Sequence, residues 1–414
     1  MLLKSFIGAG VLFLPNAVED GGMIFSAVVV VIIALISHQA MGFLIDCQSY
    51  LEKQASCNGQ KEEREGITKA GNRDLEETTV VDTPATLKQG EKQFNLKGDF
   101  AVVGKTIVGH CLGDRWGQAA EVAVDTTLTL SQFGFCATTF LFFASNFQAL
   151  IPFLSRGRLG RPDLAILIFP QLLFYIPAAL LKHLSYISFL AISANVLILL
   201  GLVSIVYYGA SSIHDHGFAP DLQFINPASW HLFLGTIIFA FEGIGLVSSF
   251  IDFRFFLLLL RVSESLWLSN QVLPLRSSMQ KPHQFSLLLG LTVGLTAMLM
   301  LVLSILCYTA YGHNVHIIIF DSLPQSTYTM VLRLLYSLAM LFTVPMTMWP
   351  GLMTLEKYIV PTFRAKGKWQ KHSARNAIRT LSPIFTAILA WSFGDNLDIL
   401  VSIVGSLCCG PLLL

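Results

Sequence analysis

Apolar residues in this chain come in long unbroken blocks, not in the alternation of a strand or the narrow stripe of a surface helix. About 20 apolar residues cross the hydrocarbon core of a bilayer as a helix. Blocks near that length lie at 2–18, 23–45, 119–146, 163–181, 184–208, 230–247, 285–308, 329–352, 377–393 and 397–414. The pattern predicts ten spans, numbered 1 to 10 in that order, and an all-α polytopic membrane protein. The first and last read as clipped, since Met1 leads at once into LLKSF and the chain stops at GPLLL without a polar flank. The connection 46–117 is the one long polar interruption. Its residues 50–99 set 8 basic against 10 acidic side chains among Gln, Thr and Gly. That composition cannot bury a core and predicts a disordered cytosolic linker. Residues 100–117 regain apolar periodicity and predict an interfacial helix feeding span 3.

Composition sharpens the membrane reading. Of 414 residues 54% are hydrophobic and 13% charged, where a soluble domain carries about 25% charged residues. Such a chain cannot cover its surface with solvated groups, so lipid and other helices must face most of it. A net charge of +1 gives no ground for a nucleic-acid partner. The seven cysteines (Cys47, Cys57, Cys111, Cys136, Cys307, Cys408 and Cys409) show neither CxxC nor metal spacing and read as packing residues, so no metal or cofactor is expected. The N-terminus lacks the n-region and cleavage site of a signal peptide.

Lysine and arginine set the orientation. The connection between spans 8 and 9 carries Lys357, Arg364, Lys366, Lys368, Lys371, Arg375 and Arg379, while 209–229 and 309–328, on the opposite side, hold no Lys or Arg. Lys182, Arg276 and Lys281 agree with a cytosolic N-terminus. Arg156, Arg158 and Arg161, between spans 3 and 4, dissent.

Residues 248–271 do not fit. Their apolar run, Phe253 to Leu260, contains Arg254 and is too short to span, and counting it as a span would move the cation-rich connection outside. Val247-Ser248 can be encoded by GTAAGT, a splice-donor consensus, and Gln271 by CAG, an acceptor. The expectation is a retained intron; the alternative is a genuine re-entrant insert. The chain thus divides into spans 1–2 (1–45), linker and interfacial helix (46–117), spans 3–6 (118–247), the insert (248–271) and spans 7–10 (272–414).

Two spans carry the chemistry. Span 1 reads LLKSFIGAGVLFLP, with Gly8, Ala9 and Gly10 at its middle. Small residues there either let helices pack closely or let the helix break and free backbone groups for a ligand. Span 6 reads GTIIFAFEGIGL and sets Glu242 at mid-depth beside Gly243 and Gly245. An intramembrane carboxylate costs about 2.5–3.5 kcal/mol on insertion scales and marks a functional site. Two glycine-interrupted spans, five apart, favour the broken-helix reading of an inverted-repeat transporter.

KSFIGAGVLFLP with NAVEDGGMIFS, LSQFGFCATTFLFFASN in span 3, IIFAFEGIGL, SMQKPHQF and LFTVPMTMWP in span 8 together resemble the amino acid/auxin permease family, nearest its fungal vacuolar amino-acid transporters. The resemblance covers nearly the whole chain. It implies the leucine-transporter-type fold, a 5+5 inverted repeat with broken helices 1 and 6, here cut to about ten spans. It also implies an amino-acid substrate between spans 1 and 6, beside spans 3 and 8. Substrate-binding candidates are then Ile7, Gly8, Ala9, Gly10, Phe239, Phe241 and Gly243, with Lys4, Ser5, Gln132 and Thr343 secondary. Gln132 and Asn146 read otherwise as interhelical hydrogen-bond groups.

The expected function is secondary active amino-acid transport, driven by a proton gradient through Glu242. A Lys4–Glu242 ion pair is the structural alternative for that carboxylate. The expected place is a vacuolar membrane, with the plasma membrane as alternative; nothing sets the oligomeric state. A sensor that binds amino acids without moving them, signalling through the linker, and an inactive truncated product are the competing readings. No span carries a polar stripe wide enough to line a channel. No nucleophile–base pair or phosphate loop appears, so an enzyme reading has no residues to stand on. His214, Asp215 and His216, and His313 with His316, either sense an acidic lumen or are solvated loop residues. Pro345 and Pro350 mark kinks.

Overall fold

The structure, a computed structural model, describes residues 10–40, 42, 43, 46, 50, 100–155, 158, 160–181, 185–241, 285–362, 368–394 and 396–410. Among them every regular element is a helix. In chain order these are α1 (Gly10–Gly21), α2 (Met23–Ala40), α3 (Phe100–Leu112) and α4 (Asp114–Leu154). Then come α5 (Leu164–Leu180), α6 (Ser185–His216), α7 (Trp230–Phe241) and α8 (Phe285–Tyr311). The last are α9 (Thr327–Thr362), α10 (Lys368–Phe393) and α11 (Leu397–Cys409).

Each predicted span holds one helix: α1, α2 and α4 to α11. By length and apolarity five stretches suffice to cross a bilayer: Met23–Ala40, Asp114–Leu154, Leu197–His216, Gly290–Asn314 and Thr327–Pro361. The α5, α7 and α11 helices are apolar but shorter. The predicted interfacial helix forms as α3 but ends at Leu112, short of 117. Gly113 there takes φ +97, a left-handed value that a Cβ disfavours, and turns the chain back so that α3 lies along the start of α4. The insert 248–271 and the linker 51–99 lie outside the described residues.

The helices pack in antiparallel pairs. In α4 and α9, Asp125 meets Lys357 and Tyr358, Gln132 lies over Gly351, Cys136 meets Thr347 and Phe142 packs on Tyr336. The register stays nearly constant over that whole length. In α5 and α10, Phe169 packs on Trp391 at 6.3 Å, and Arg379 Nη1 donates to the Leu181 carbonyl, just past the end of α5, at 3.3 Å. In α1 and α7, Gly10 faces Ala240 and Gly21 faces Phe233. Around these pairs α9 packs on α6 and α4 on α11; α10 packs on α4 and α5 on α9; α8 packs on α1, and α2 meets α7 through Phe25 and Phe233, 5.9 Å apart.

The two ends of the bundle differ in charge. Lys105, Glu121, Asp125, Glu356, Lys357 and Arg379 gather at one. The other holds the connections 217–229 and 312–326, tied to the end of α1. The α4 helix starts at the cation-rich end, so Arg158 and Arg161 stand at the cation-poor end, which leaves them the dissenters that the charge pattern made them. Exposed apolar residues recur at helical spacing on α6 (Leu199, Val203, Val206) and on α8 (Leu287, Leu291, Leu295, Met298, Val302), as faces turned to lipid.

Candidate functional site

The α1 and α7 helices, described over Gly10–Gly21 and Trp230–Phe241, run antiparallel, so that Gly10 and Ala240 meet at one level. The meeting needs glycine. A Cβ on Gly10 would sit 2.8 Å from the Ala240 Cα and 3.1 Å from its Cβ, so any larger side chain would part the helices. Around this point lies an aromatic cluster. Phe239 packs against Phe135 of α4 at 4.5 Å and Phe13 at 6.4 Å, Phe13 packs against Phe142 at 6.0 Å, and Phe241 is fully buried. Of the residues proposed for span 1 and span 6, Gly10, Phe239 and Phe241 are thus brought together. Lys4, Ser5, Ile7, Gly8, Ala9, Glu242 and Gly243 lie outside the described residues.

Behind α7 stands α11. Gly405 lies against the Gly235 carbonyl, and Gly235 lies against the backbone of Ser402; no Cβ fits at either glycine. Over Val404–Cys409 this helix is a π-helix, a departure from regular i→i−4 bonding that concentrates at functional sites. Gly134 of α4 receives Val404 from its other side.

The third wall is the α4–α9 face. Gln132 is 1% exposed, and neither its amide nitrogen nor its oxygen has a hydrogen-bond partner. Leaving a buried amide unpaired costs about 1–3 kcal/mol. Gln132 lies three residues, about 4.5 Å, from Phe135 towards the cation-rich end, hence close to the level of the Gly10–Ala240 contact. On the same face Cys136 Sγ lies 3.5 Å from Thr347 Oγ1, and Gly351 leaves its only nearby room beside Gln132 Cβ and the Phe133 ring. Asn146 is also buried; its Nδ2 donates to the Phe142 carbonyl at 2.8 Å while its Oδ1 is unpaired.

The Thr343 hydroxyl donates to the Ala339 carbonyl at 2.9 Å, and Thr343 lies two helical turns from Gly351. Thr347, which the sequence reading did not single out, is the threonine nearer to Gln132 along the α4–α9 register. Its signal was present in the four-residue spacing Thr343, Thr347, Gly351, which matches Gln132 and Cys136 on the facing helix. Nearer the cation-poor end Tyr336 is fully buried between Phe142 at 5.9 Å and Phe320 at 5.1 Å. Its hydroxyl and that of Tyr175 have no partner.

Charged groups flank this interior. At the cation-rich end Lys357 Nζ donates to Asp125 Oδ2 at 2.8 Å and to Glu121 Oε1 at 2.9 Å. Tyr358 donates to Asp125 Oδ2 at 2.7 Å, and Lys105 donates to Glu121 at 2.8 Å. Beside them Arg379 Nε donates to Glu356 Oε1 at 2.7 Å. At the opposite end His313 Nδ1 lies 2.8 Å from Glu19 Oε1. His214 pairs only with its exposed neighbour Asp215, at 3.1 Å. The two histidine groups therefore differ: His214 and His216 stand in the exposed last turn of α6 and not in a loop, whereas His313 reaches a core helix. Among the described residues no group of three or more His, Cys, Asp or Glu is arranged to hold a metal ion. The α9 helix stays continuous through Pro345 and Pro350.

The family model described as "Transmembrane amino acid transporter protein" matches residues 1–65, 86–253 and 268–414. The chain is similar to Vacuolar amino acid transporter 3 of Saccharomyces cerevisiae, 31% identical over 420 residues that cover 100% of this chain and 49% of that protein. It is similar to Vacuolar amino acid transporter 3 of Schizosaccharomyces pombe, 27% identical over 100% of the chain and 51% of the relative. Vacuolar amino acid transporter 4 of Saccharomyces cerevisiae is 27% identical, with 100% and 50% covered. The chain spans about half the length of these relatives. With a helical bundle among the described residues and a family-model match over most of its length, the chain belongs to the transmembrane amino acid transporter protein family.

Proposed function

We propose that this chain carries amino acids across a membrane by alternating access around α1 and α7, as a secondary transporter driven by protons. One observation carries the reading. The antiparallel helices α1 and α7 meet backbone to backbone at Gly10 and Ala240, near the level of a buried amide, Gln132, that has no partner. An unpaired amide in a dry interior is expensive, and the polar ends of an amino acid would relieve it. The packing also supports a 5+5 inverted repeat. Exchanging spans 1–5 with spans 6–10 turns the α9–α6 contact into α4–α11, α10–α4 into α5–α9 and α8–α1 into α2–α7, and all these contacts are present. Of the five pairs that such an exchange maps onto themselves, α1–α7, α4–α9 and α5–α10 are antiparallel in their contacts, as a two-fold axis in the membrane plane requires.

Glu242 is the proton carrier in this reading, and Gly8 to Gly10 and Phe239 to Gly243 bind the substrate. The membrane is vacuolar, as in the names of the fungal relatives, and the N-terminus is cytosolic, with the cation-rich end. The test is flux of labelled amino acids into proteoliposomes under an imposed pH gradient. Wild type accumulates substrate. Glu242→Gln folds and exchanges substrate but loses the response to the gradient. Undiminished gradient-driven uptake by that variant rejects the coupling role. Recovery of uptake in a Lys4→Met, Glu242→Gln double variant assigns Glu242 to an ion pair instead, and binding without flux assigns the chain to a sensor.

A further inference from the structure

The α1 helix ends against its own dipole. Its last turn carries Glu19 and Asp20 and no cation, although a helix C-terminus favours positive charge. Span 1 ends before Glu19, so this turn lies at the membrane surface of the cation-poor end. It is held there from three sides. Met23 N donates to Gln223 O at 3.0 Å and Asn226 N to Gly21 O at 3.1 Å. Asn226 Nδ2 donates to Glu19 O at 3.3 Å. His313, in the turn after α8, places Nδ1 2.8 Å from Glu19 Oε1, while its Nε2 lies 3.4 Å from Gln223 Nε2. The imidazole thus touches both α1 and the segment that leads into α7.

We infer that His313 is a positioning residue for α1, which in its protonated form fastens the cation-poor end of that helix through Glu19 and in its neutral form releases it. Histidine changes charge between pH 5 and 8, and an ion pair at a helix C-terminus gains from the dipole what a neutral hydrogen bond does not. The elements packed on this turn offer Asp398 from α11; Asp321, already held by Arg333 at 2.7 Å; Tyr308, whose hydroxyl accepts from Gln223 N at 3.0 Å; Tyr311; and the exposed His231 of α7. Burial, with the Glu19 and Asp398 carboxylates, pushes Asp20 from 3.8 to about 7. The fastened end therefore binds one more proton than a released end between those pH values. Raising pH through that window weakens it, and nothing further is lost from Asp20 above about 7.

The inference rests on the geometry of this end and not on flux, so it is tested without transport. Hydrogen exchange, corrected for the intrinsic pH dependence of amide exchange, is measured on the full chain in nanodiscs at pH 5 and pH 8. Peptides covering 18–26 and 220–229 should be about tenfold better protected at pH 5 in wild type, with peptides from 132–144 of α4 unchanged. His313→Gln should give the low protection at both pH values, apart from the share owed to Asp20. His313→Lys with Asp20→Asn, a permanent cation beside a permanently neutral side chain, should give the high protection at both. Equal wild-type protection at the two pH values overturns the inference, as does a full wild-type response in His313→Gln or an equal change in 132–144. If His313→Gln fails to fold, the lysine–asparagine variant decides alone, and a retained pH response there overturns it.

Discussion

The α1–α7 and α4–α9 pairs are both antiparallel, and both pack into the same buried core, yet they are held by different physics. The α4–α9 pair joins helices of 41 and 36 residues, kept in one register by side chains along their length and pinned at one end by Asp125, Glu121, Lys357 and Tyr358. The α1–α7 pair is joined through glycine and alanine backbone at Gly10 and Ala240. Among the described residues no hydrogen bond or ion pair links the two, and the polar ties of α1 go instead to the loops at its end. Close contact between small residues resists separation but not tilt, whereas buried ion pairs and a long interlocked register resist both. The small-residue pair is suited to tilt and the interlocked pair to hold.

The largest effect that would break this contrast is at Gly10. Gly10→Val pushes a branched side chain into Ala240 at a 2.8 Å contact, and uptake in proteoliposomes should fall by about a hundredfold or more, which corresponds to about 2.7 kcal/mol. Surface expression and the melting profile of the α4–α9 scaffold should hold. Wild-type substrate affinity in this variant would mean that the glycine serves packing alone.

Next is Asp125, 4% exposed. Asp125→Ala removes the acceptor of both Lys357 and Tyr358 and should cost about 3 kcal/mol of stability, read as a lowered thermal midpoint with no change in substrate selectivity. If selectivity changes instead, the long pair is not merely a scaffold. Smaller again is Gly201→Ala on α6, where a Cβ would lie 2.7 Å from the Tyr336 ring. Overpacking there should cost about 1–3 kcal/mol. The smallest effect has the opposite sign. The Tyr336 hydroxyl is buried without a partner, so Tyr336→Phe should leave stability unchanged or raise it by about 1 kcal/mol. A clear loss on denaturant titration would mean that the hydroxyl is paired in a second conformation.

Much of the fold was legible because lipid solubility is a local property. Any window of about 20 residues carries its own transfer free energy, so the ten blocks could be found without knowing what packs on what, and the Lys and Arg counts divided the connections between two ends. Gly10 was legible for the same reason, since a glycine at mid-span has few uses. Helix lengths were less so. Hydropathy stops where charge begins, but α4 runs on to Asp114 and α9 to Thr362, because Glu121, Asp125 and Lys357 neutralise one another across the pair.

Sequence alone determined the membrane setting, the α-helical class and the two small-residue spans at the centre. The tertiary structure decided which polar groups count. It set Thr347 beside Cys136 through the register of α9 on α4. It left Gln132 unpaired, and it separated His313 from His214 by giving the former a partner 294 residues away in sequence. Hydropathy adds up along the chain, whereas a hydrogen bond depends on two positions brought to within 3 Å, and only the packing of distant helices fixes that distance.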